Sequence, residues 1–451
     1  MKPDYLNPFH CFKNKSEYYL YVVSCGTTFC IAPHEFKALS LFERRSSFSE
    51  IGSANTSISK KLSPKTLGVL KKYRLLTKRK INVQGYRNER SCFQTLELSL
   101  SNKCNLRCSY CYERLNKTWN KSGTITKRTA KEAIDWFLNQ LLTKKAKNDA
   151  LIGFQSGEPL THFNLMRYCV EYAKKRAIKT GVNLRFVVNT NGTLLNKQII
   201  DFLGKNNFTI FLSLDGPRPI HDKYRRYAST GKGTYSDVIK WIPRLLSACP
   251  NTFVRGTIVP KGSKSHLYDL LNHANDLGFK RASFEIASLP KGKISSKNYT
   301  RSLRHDFDSY FNRYLKKNGN YILYNQLLFL NGQIKRKNKE YYGCGAGRRL
   351  LSIDVFGNMW PCADFRNITK YQLGSLKSGV DKESQDRIAK EIHLSNKEEC
   401  ILCWARHLCG GGCAYCSYAS TKQLNAPGAN CCDLIRHVAE KNIALIHQQN
   451  R

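Results

Sequence analysis

What this chain of 451 residues lacks narrows its class before any motif is found. No stretch approaches the roughly 18 uninterrupted apolar residues that a membrane span requires. The opening Met1-Lys2-Pro3-Asp4-Tyr5-Leu6 lacks the apolar core of a signal peptide. Together these absences point to the cytoplasm, with no membrane partner. Acidic residues are scarce: 33 Asp and Glu stand against 74 Lys and Arg, a formal net charge of +41. So basic a chain invites a nucleic-acid partner. Its lysines and arginines are spread through every region, however, so nucleic acid is not the expected partner. The general field still favours an acidic substrate or peptide.

Cysteine is the residue in excess. There are 18, and nine of them, from Cys344 to Cys432, lie in the last quarter of the chain. In a reducing compartment such density is explained by metal or clusters better than by disulfides. A second concentration lies in Ser101-Asn102-Lys103-Cys104-Asn105-Leu106-Arg107-Cys108-Ser109-Tyr110-Cys111-Tyr112-Glu113, whose cysteines are separated by three residues and then two. A loop with that spacing can turn three thiolates onto one face of a cubic iron–sulfur cluster, leaving one iron without a protein ligand. Zinc would need a fourth nitrogen or sulfur ligand. No histidine lies between residues 93 and 161 to supply one.

The rest of the chain is long enough for two or three domains. Residues 17 to 36 read as a hairpin, with Tyr18 to Val23 and Thr28 to Ile31 extended about a turn at Cys25-Gly26. Helices are expected from Pro33 and near Ser63 to Lys72. From residue 93 strands and helices alternate. Strands are expected at 95–100, 151–154, 184–188, 208–214, 252–258 and 282–286, with helices around 129–138, 164–179, 196–204, 235–248 and 265–277. Six such repeats imply a parallel sheet with its chemistry at the C-terminal strand ends. Residues 291 to 343 are lysine-rich and are expected to be connecting helices.

The cysteine loop, with Tyr110 just before its third cysteine, resembles the signature of the radical S-adenosylmethionine enzymes. The resemblance implies that S-adenosylmethionine chelates the open iron and is cleaved to a 5′-deoxyadenosyl radical. Further matches fall at the expected strand ends: Gln155-Ser156-Gly157-Glu158-Pro159, Asn189-Thr190-Asn191-Gly192, Leu212-Ser213-Leu214-Asp215-Gly216-Pro217 and His221-Asp222-Lys223-Tyr224-Arg225-Arg226. By the resemblance Ser156, Gly157 and Glu158 lie near the cofactor's amino group, with Ser156 where the family has a glycine. Asn191 lies near the cofactor, Ser213 and Asp215 face its ribose, Arg225 pairs with its carboxylate, and Leu289 packs on the adenine. An arginine fork suits a carboxylate.

The C-terminal pattern resembles the SPASM domain of peptide- and protein-modifying members. It runs from Cys344 through Gly357 to Cys362, then Cys400-x2-Cys403-x5-Cys409-x3-Cys413, then Cys431-Cys432. The family implies interlaced ligands: Cys344, Cys362 and Cys413 for one auxiliary cluster, and Cys400, Cys403, Cys409 and Cys432, or alternatively Cys431, for the other. Either Cys416 completes the first cluster or one of its irons is open. Sulfatase-maturing relatives carry an acid directly after the cysteine equivalent to Cys362, but here Ala363 precedes Asp364. That argues against formylglycine formation and leaves Asp364 as a base or as a structural hydrogen-bonding group.

The expected fold is α/β: a partial (β/α)6 TIM-like barrel, a small N-terminal α/β module and a cysteine-rich iron–sulfur C-terminal domain. The boundaries read as 1–92 for the N-terminal module, 93–292 for the barrel, 293–343 for the connector, 344–436 for SPASM and 437–451 for a C-terminal helix. The N-terminal module resembles winged-helix-like leader-peptide binders and equally fits a structural cap. The expected cofactors are S-adenosylmethionine and three 4Fe-4S clusters. The expected partners are a precursor peptide and an external electron donor such as flavodoxin or ferredoxin. The expected activity is an oxidoreductase's: hydrogen abstraction from a side chain of a ribosomally made peptide, then an oxidative crosslink. The rivals are modification of a folded protein or of a peptide-derived cofactor precursor, and a basic RNA-binding or RNA-modifying protein with structural clusters.

Overall fold

The computed structural model describes residues 5–45, 63–77, 84–87, 92–115, 123–142, 149–260, 265–287, 297–316, 323–324, 330, 332–335, 339–428 and 432–449. Leu289 and Cys431 fall outside them. The N-terminal module holds β1 (Tyr5–Leu6), β2 (Phe9–Asn14), β3 (Glu17–Val22), β4 (Thr27–Ile31) and β5 (Leu76–Thr77), with helices Pro33–Arg45 and Pro64–Lys72. The expected hairpin is β3 and β4, with Gly26 at φ 66° in its turn. Strand β2 pairs beside it to make a three-stranded antiparallel sheet.

Strands β6 (Thr95–Leu98), β7 (Asp149–Phe154), β8 (Asn183–Thr190), β9 (Thr209–Ser213), β10 (Thr252–Ile258) and β11 (Arg281–Ile286) are parallel and follow one another in sheet order. Helices Lys127–Leu142, Phe163–Thr180, Lys197–Lys205 and Leu267–Asp276 make the crossovers. The helix expected over 235–248 is instead two, Tyr235–Ile239 and Ile242–Ala248. Pro243 has no N–H to continue the first ladder and starts the second helix. The connector is not wholly helical. After helix Lys297–Lys316 it adds β12 (Leu323–Tyr324) parallel to β11.

At the other edge β13 (Leu350–Ile353) pairs parallel to β6, and β14 (Asn358–Trp360), β15 (Gly374–Ser375) and β16 (Gly379–Val380) continue antiparallel. The C-terminal cysteine segment is thus joined to the barrel by one sheet of 11 strands.

Alternation along the strands decides what faces where. Leu96, Leu98, Ile152, Phe154, Val188, Ile210, Leu212 and Val254 are buried beneath the helices. The intervening Glu97, Asn189, Ser213, Arg255, Thr257 and Glu285 line a cavity on the concave face. Among the described residues no helix is long and apolar enough to cross a membrane. Among the described residues no cysteine forms a disulfide.

Candidate active site

The loop after β6 carries Cys104, Cys108 and Cys111 to the rim of that cavity, whose volume is about 710 Å³. It is strapped from outside by the segment after β9. Arg107 N–H donates to Arg226 O at 2.8 Å, and Ala228 N–H donates to Asn105 O at 2.9 Å. The Arg225-Arg226 stretch therefore has a backbone role as well as a side-chain one. Arg226 itself turns outward to Gly231 O at 3.0 Å.

Against the loop's inner side lies the turn Ser156-Gly157-Glu158. Gly157 has φ +55°, and a Cβ there would stand 2.1 Å from Lys103 O, so no side chain fits. Glu158 N–H donates to that same oxygen at 3.0 Å. The Glu158 carboxylate is buried and accepts from Thr190 Oγ1 at 2.8 Å, Asn191 N–H at 2.7 Å and Leu160 N–H at 3.0 Å. Burial pushes its pKa up to about 7 against those donors. Asn191 Nδ2 donates to Asn105 Oδ1 at 2.8 Å and lies 3.8 Å from Cys104 Sγ.

Ser213 and Arg225 line the cavity and Asp215 does not. Asp215 is 0 % exposed. One oxygen accepts from Arg225 Nη2 at 3.0 Å and from Thr257 N–H at 2.9 Å, and the other takes the Tyr110 hydroxyl and lies 3.0 Å from Arg225 Nε. Asp215 thus supports Arg225 and Tyr110, whose ring lies 5.5 Å from the guanidinium.

The opposite wall comes from Cys362-Ala363-Asp364-Phe365-Arg366. Ala363 N–H donates to Glu97 Oε2 at 2.7 Å, seating the segment on β6. Asp364 borders the cavity with Cys362. Burial raises its pKa to about 6, with Arg255 opposing and Glu285 adding to the rise. Glu97 is pushed to about 7, by burial first and then by Asp364.

Arg366 ties both walls together. It is 2 % exposed and donates to Ala363 O at 2.9 Å, Ser99 Oγ at 2.7 Å, Glu113 Oε1 at 2.6 Å and Ser156 Oγ. The other oxygen of Glu113 accepts Gly157 N–H at 2.9 Å. Ser156, at φ 92°, occupies backbone space that favours glycine, and its hydroxyl is held by this arginine. Neither Arg366 nor Glu113 stands out in the sequence. Glu97, a lone acid inside the apolar strand Thr95-Leu96-Glu97-Leu98, does carry a signal.

The C-terminal thiols fall into two sets of neighbours. Cys344, Cys362 and Cys413 interact with one another, and Cys413 with Cys416. Cys400, Cys403, Cys409 and Cys432 interact in the second group. Cys432 begins helix Cys432–Gln449. Among the described residues no three His, Cys, Asp or Glu are placed to hold a single metal ion. A cubic cluster spreads its thiolates more widely than one ion does.

Lys397 fits the anionic alternative. It is 1 % exposed, and among the described residues its Nζ donates to neutral oxygens alone: Gly411 O at 2.9 Å, Ser417 Oγ at 3.4 Å and Ala426 O at 3.5 Å. Burial lowers the pKa of its ammonium, and the side chains that would oppose that as thiolates are Cys400, Cys344, Cys409 and Cys413, from both groups. A buried cation costs several kcal/mol unless opposed, on the order of the ion-desolvation penalty. Thiolate-bound clusters would supply the opposing charge.

The N-terminal module packs on the second thiol group. His10 of β2 stacks on Trp404, next to Cys403, with ring centroids 4.1 Å apart. It bonds Glu43 and Glu440 at 2.8 Å each.

Comparison with known proteins accords with this geometry. Residues 98–274 match the Radical SAM superfamily. The chain is 29% identical over 336 residues to a cysteine-type anaerobic sulfatase-maturating enzyme of Clostridium perfringens, covering 70% of this chain and 87% of that enzyme. It is 27% identical over 284 residues to the subtilosin biosynthesis protein AlbA of Bacillus subtilis, covering 61% of this chain and 56% of that one. A solved structure titled native anSMEcpe with bound AdoMet and Kp18Cys peptide shares the fold at a TM-score of 0.65 and 23% identity, over 79% of this chain and 99% of that one. Residues 98–274 are thus a radical S-adenosylmethionine domain, and over 70% of its length the chain is similar to a maturase that modifies sulfatases.

Proposed function

We propose that this enzyme abstracts a hydrogen atom from a side chain of a ribosomally synthesised precursor peptide and installs an oxidative crosslink, as a thioether, carbon–carbon or carbon–oxygen bond. The observation that carries the reading is that the loop cysteines, the C-terminal Cys362, Cys400, Cys403, Cys409, Cys413, Cys416 and Cys432, and Asp364 border one cavity. Under it, Cys104, Cys108 and Cys111 hold the radical-generating cluster, and the two C-terminal thiol groups hold two auxiliary clusters.

When bound, S-adenosylmethionine at the first cluster supplies a 5′-deoxyadenosyl radical, and the auxiliary clusters supply an acceptor for one electron. The chain's own groups bind and orient. Arg225 offers a guanidinium already fixed by Asp215 and Tyr110, so little ordering remains when it meets a carboxylate. Ser156, Gly157, Glu158, Asn191 and Ser213 surround the same pocket. Asp364, with its pKa raised to about 6, accepts the proton released as the substrate is oxidised. The substrate thus loses one hydrogen atom, one proton and one electron as the new bond forms. An acidic carrier such as flavodoxin or ferredoxin, drawn by the +41 charge, delivers the initiating electron.

Anaerobic reduction with S-adenosylmethionine should release 5′-deoxyadenosine, and a co-expressed precursor peptide should lose two hydrogen atoms by mass. Persistence of deoxyadenosine in the Cys104→Ala/Cys108→Ala/Cys111→Ala variant would sink the reading. The similarity to sulfatase-maturating enzymes favours a second reading, modification of a residue in a protein substrate. A sulfatase-derived peptide converted in preference to the precursor peptide would select it.

A further inference from the structure

We propose that Cys416 is the fourth thiol ligand beside Cys344, Cys362 and Cys413, so that the cluster held there has no open iron and accepts electrons without binding substrate. This rests on the reading of two auxiliary clusters given above.

The chain from Gly345 to Pro361 contains no cysteine, so the fourth donor must come from elsewhere. Cys413 is the N-cap of helix Ala414–Thr421, with φ −76° and ψ 127°, and Cys416 lies three residues on. That spacing brings the two side chains to the same side of the first turn. The Cys416 thiol and backbone N–H both reach Cys413 Sγ. Cys344 Sγ accepts the N–H of Ala414, which fixes it at the same helix end. Cys362, Cys413 and Cys416 open onto the shared cavity. Behind Cys416 the chain is closed, since a Cβ at Gly428 would stand 3.1 Å from its Cβ.

The competing donor is Asp364, near Cys362 and Cys413. Its carboxylate already faces Arg255 and accepts from Tyr112. Thiolate is also the commoner cluster ligand. The second group has its own four thiols in Cys400, Cys403, Cys409 and Cys432, so Cys416 is not needed there. With every auxiliary iron ligated by protein, holding the peptide falls to the cavity's side chains, among them Arg255 and Glu285, 3.3 Å apart.

The test uses the full chain in the Cys104→Ala/Cys108→Ala/Cys111→Ala background, where only auxiliary clusters remain. Anaerobically reconstituted protein is alkylated with iodoacetamide under native conditions and its cysteine peptides are read by mass spectrometry. Cys416 should be protected as fully as Cys413 and become reactive after the iron is chelated, while exposed Cys25 reacts in both states. Mild oxidation should leave this protein without a three-iron paramagnetic signal, and adding Cys416→Ala should produce one. Iron sufficient for two clusters with Cys416 alkylated overturns the assignment and spares the wider reading. So does a three-iron signal that is the same with and without Cys416, or one that appears on Asp364→Asn and not on Cys416→Ala. Iron for fewer than two clusters overturns both.

Discussion

The barrel and the C-terminal cysteine segment meet across one cavity but hold their groups by different means. In the barrel, strand register and one glycine do the positioning: Gly157 lets the Ser156-Gly157-Glu158 turn lie on Lys103 O, and Glu158 bonds to the backbone of the next strand's loop. In the C-terminal segment, buried cations do it. Arg366 gathers Ser99, Glu113 and Ser156, and Lys397 sits between two thiol groups. Backbone-held sites tolerate almost no side chain at the contact, and cation-held sites depend on an intact charge partner.

The sharpest way to break the barrel half is Gly157→Ala. The added carbon meets backbone at 2.1 Å and the residue has φ +55°, so the cysteine loop and the turn must separate. Displacement on this scale costs about 100-fold in rate when reacting groups must be aligned. Deoxyadenosine formation should fall by at least that order, while helix content measured by circular dichroism stays near wild type.

The cation-held half breaks through Arg366→Met. Glu113 would keep a buried carboxylate with its main partner gone, a situation that costs about 3–5 kcal/mol. Denaturant unfolding should show a loss of that order, and Arg366→Met/Glu113→Gln should recover a large part of it. A double variant no more stable than Arg366→Met would mean that the ion pair is not what joins the walls. Ser156→Gly sharpens the same contrast at smaller scale. It relieves a φ of 92° and removes two hydrogen bonds, the one from Arg366 and a long one to Ser101 O at 3.4 Å, opposing effects of about 1 kcal/mol each way, so stability should stay within about 1 kcal/mol of wild type.

The same difference explains what the sequence could reveal. The six barrel strands are legible because a period of two, with apolar residues on the helix-covered face, leaves few alternatives, and the functional motifs stand where those strands end. The C-terminal cysteines are legible from their spacing. The sequence shows Asp215 as an acid at a strand end but not that Arg225, Tyr110 and Thr257 bond both its oxygens. Arg366 and Lys397 have no local signature, since their partners lie 253 residues away in one case and across two thiol groups in the other. The joining of β13 to β6 is equally silent, being a pairing between segments whose separation the pattern does not encode.

The smallest effect concerns how the N-terminal module is held to the second thiol group. Burial alone would lower the pKa of His10, but the carboxylates of Glu43 and Glu440, both hydrogen-bonded to its ring, raise it above the usual 6.5. A raised folded value means that the protonated ring favours the docked state. That contribution is complete below the undocked value of about 6.5 and is lost as pH rises through the docked value. Hydrogen exchange of β2 and β3 should therefore quicken beyond the ordinary base-catalysed increase as pH rises past neutrality, and Trp404 emission should shift over the same window. His10→Gln should remove that extra pH dependence while leaving the exchange of β6 to β11 unchanged. An unchanged pH profile in the variant would assign the docking to stacking on Trp404, without the two carboxylates.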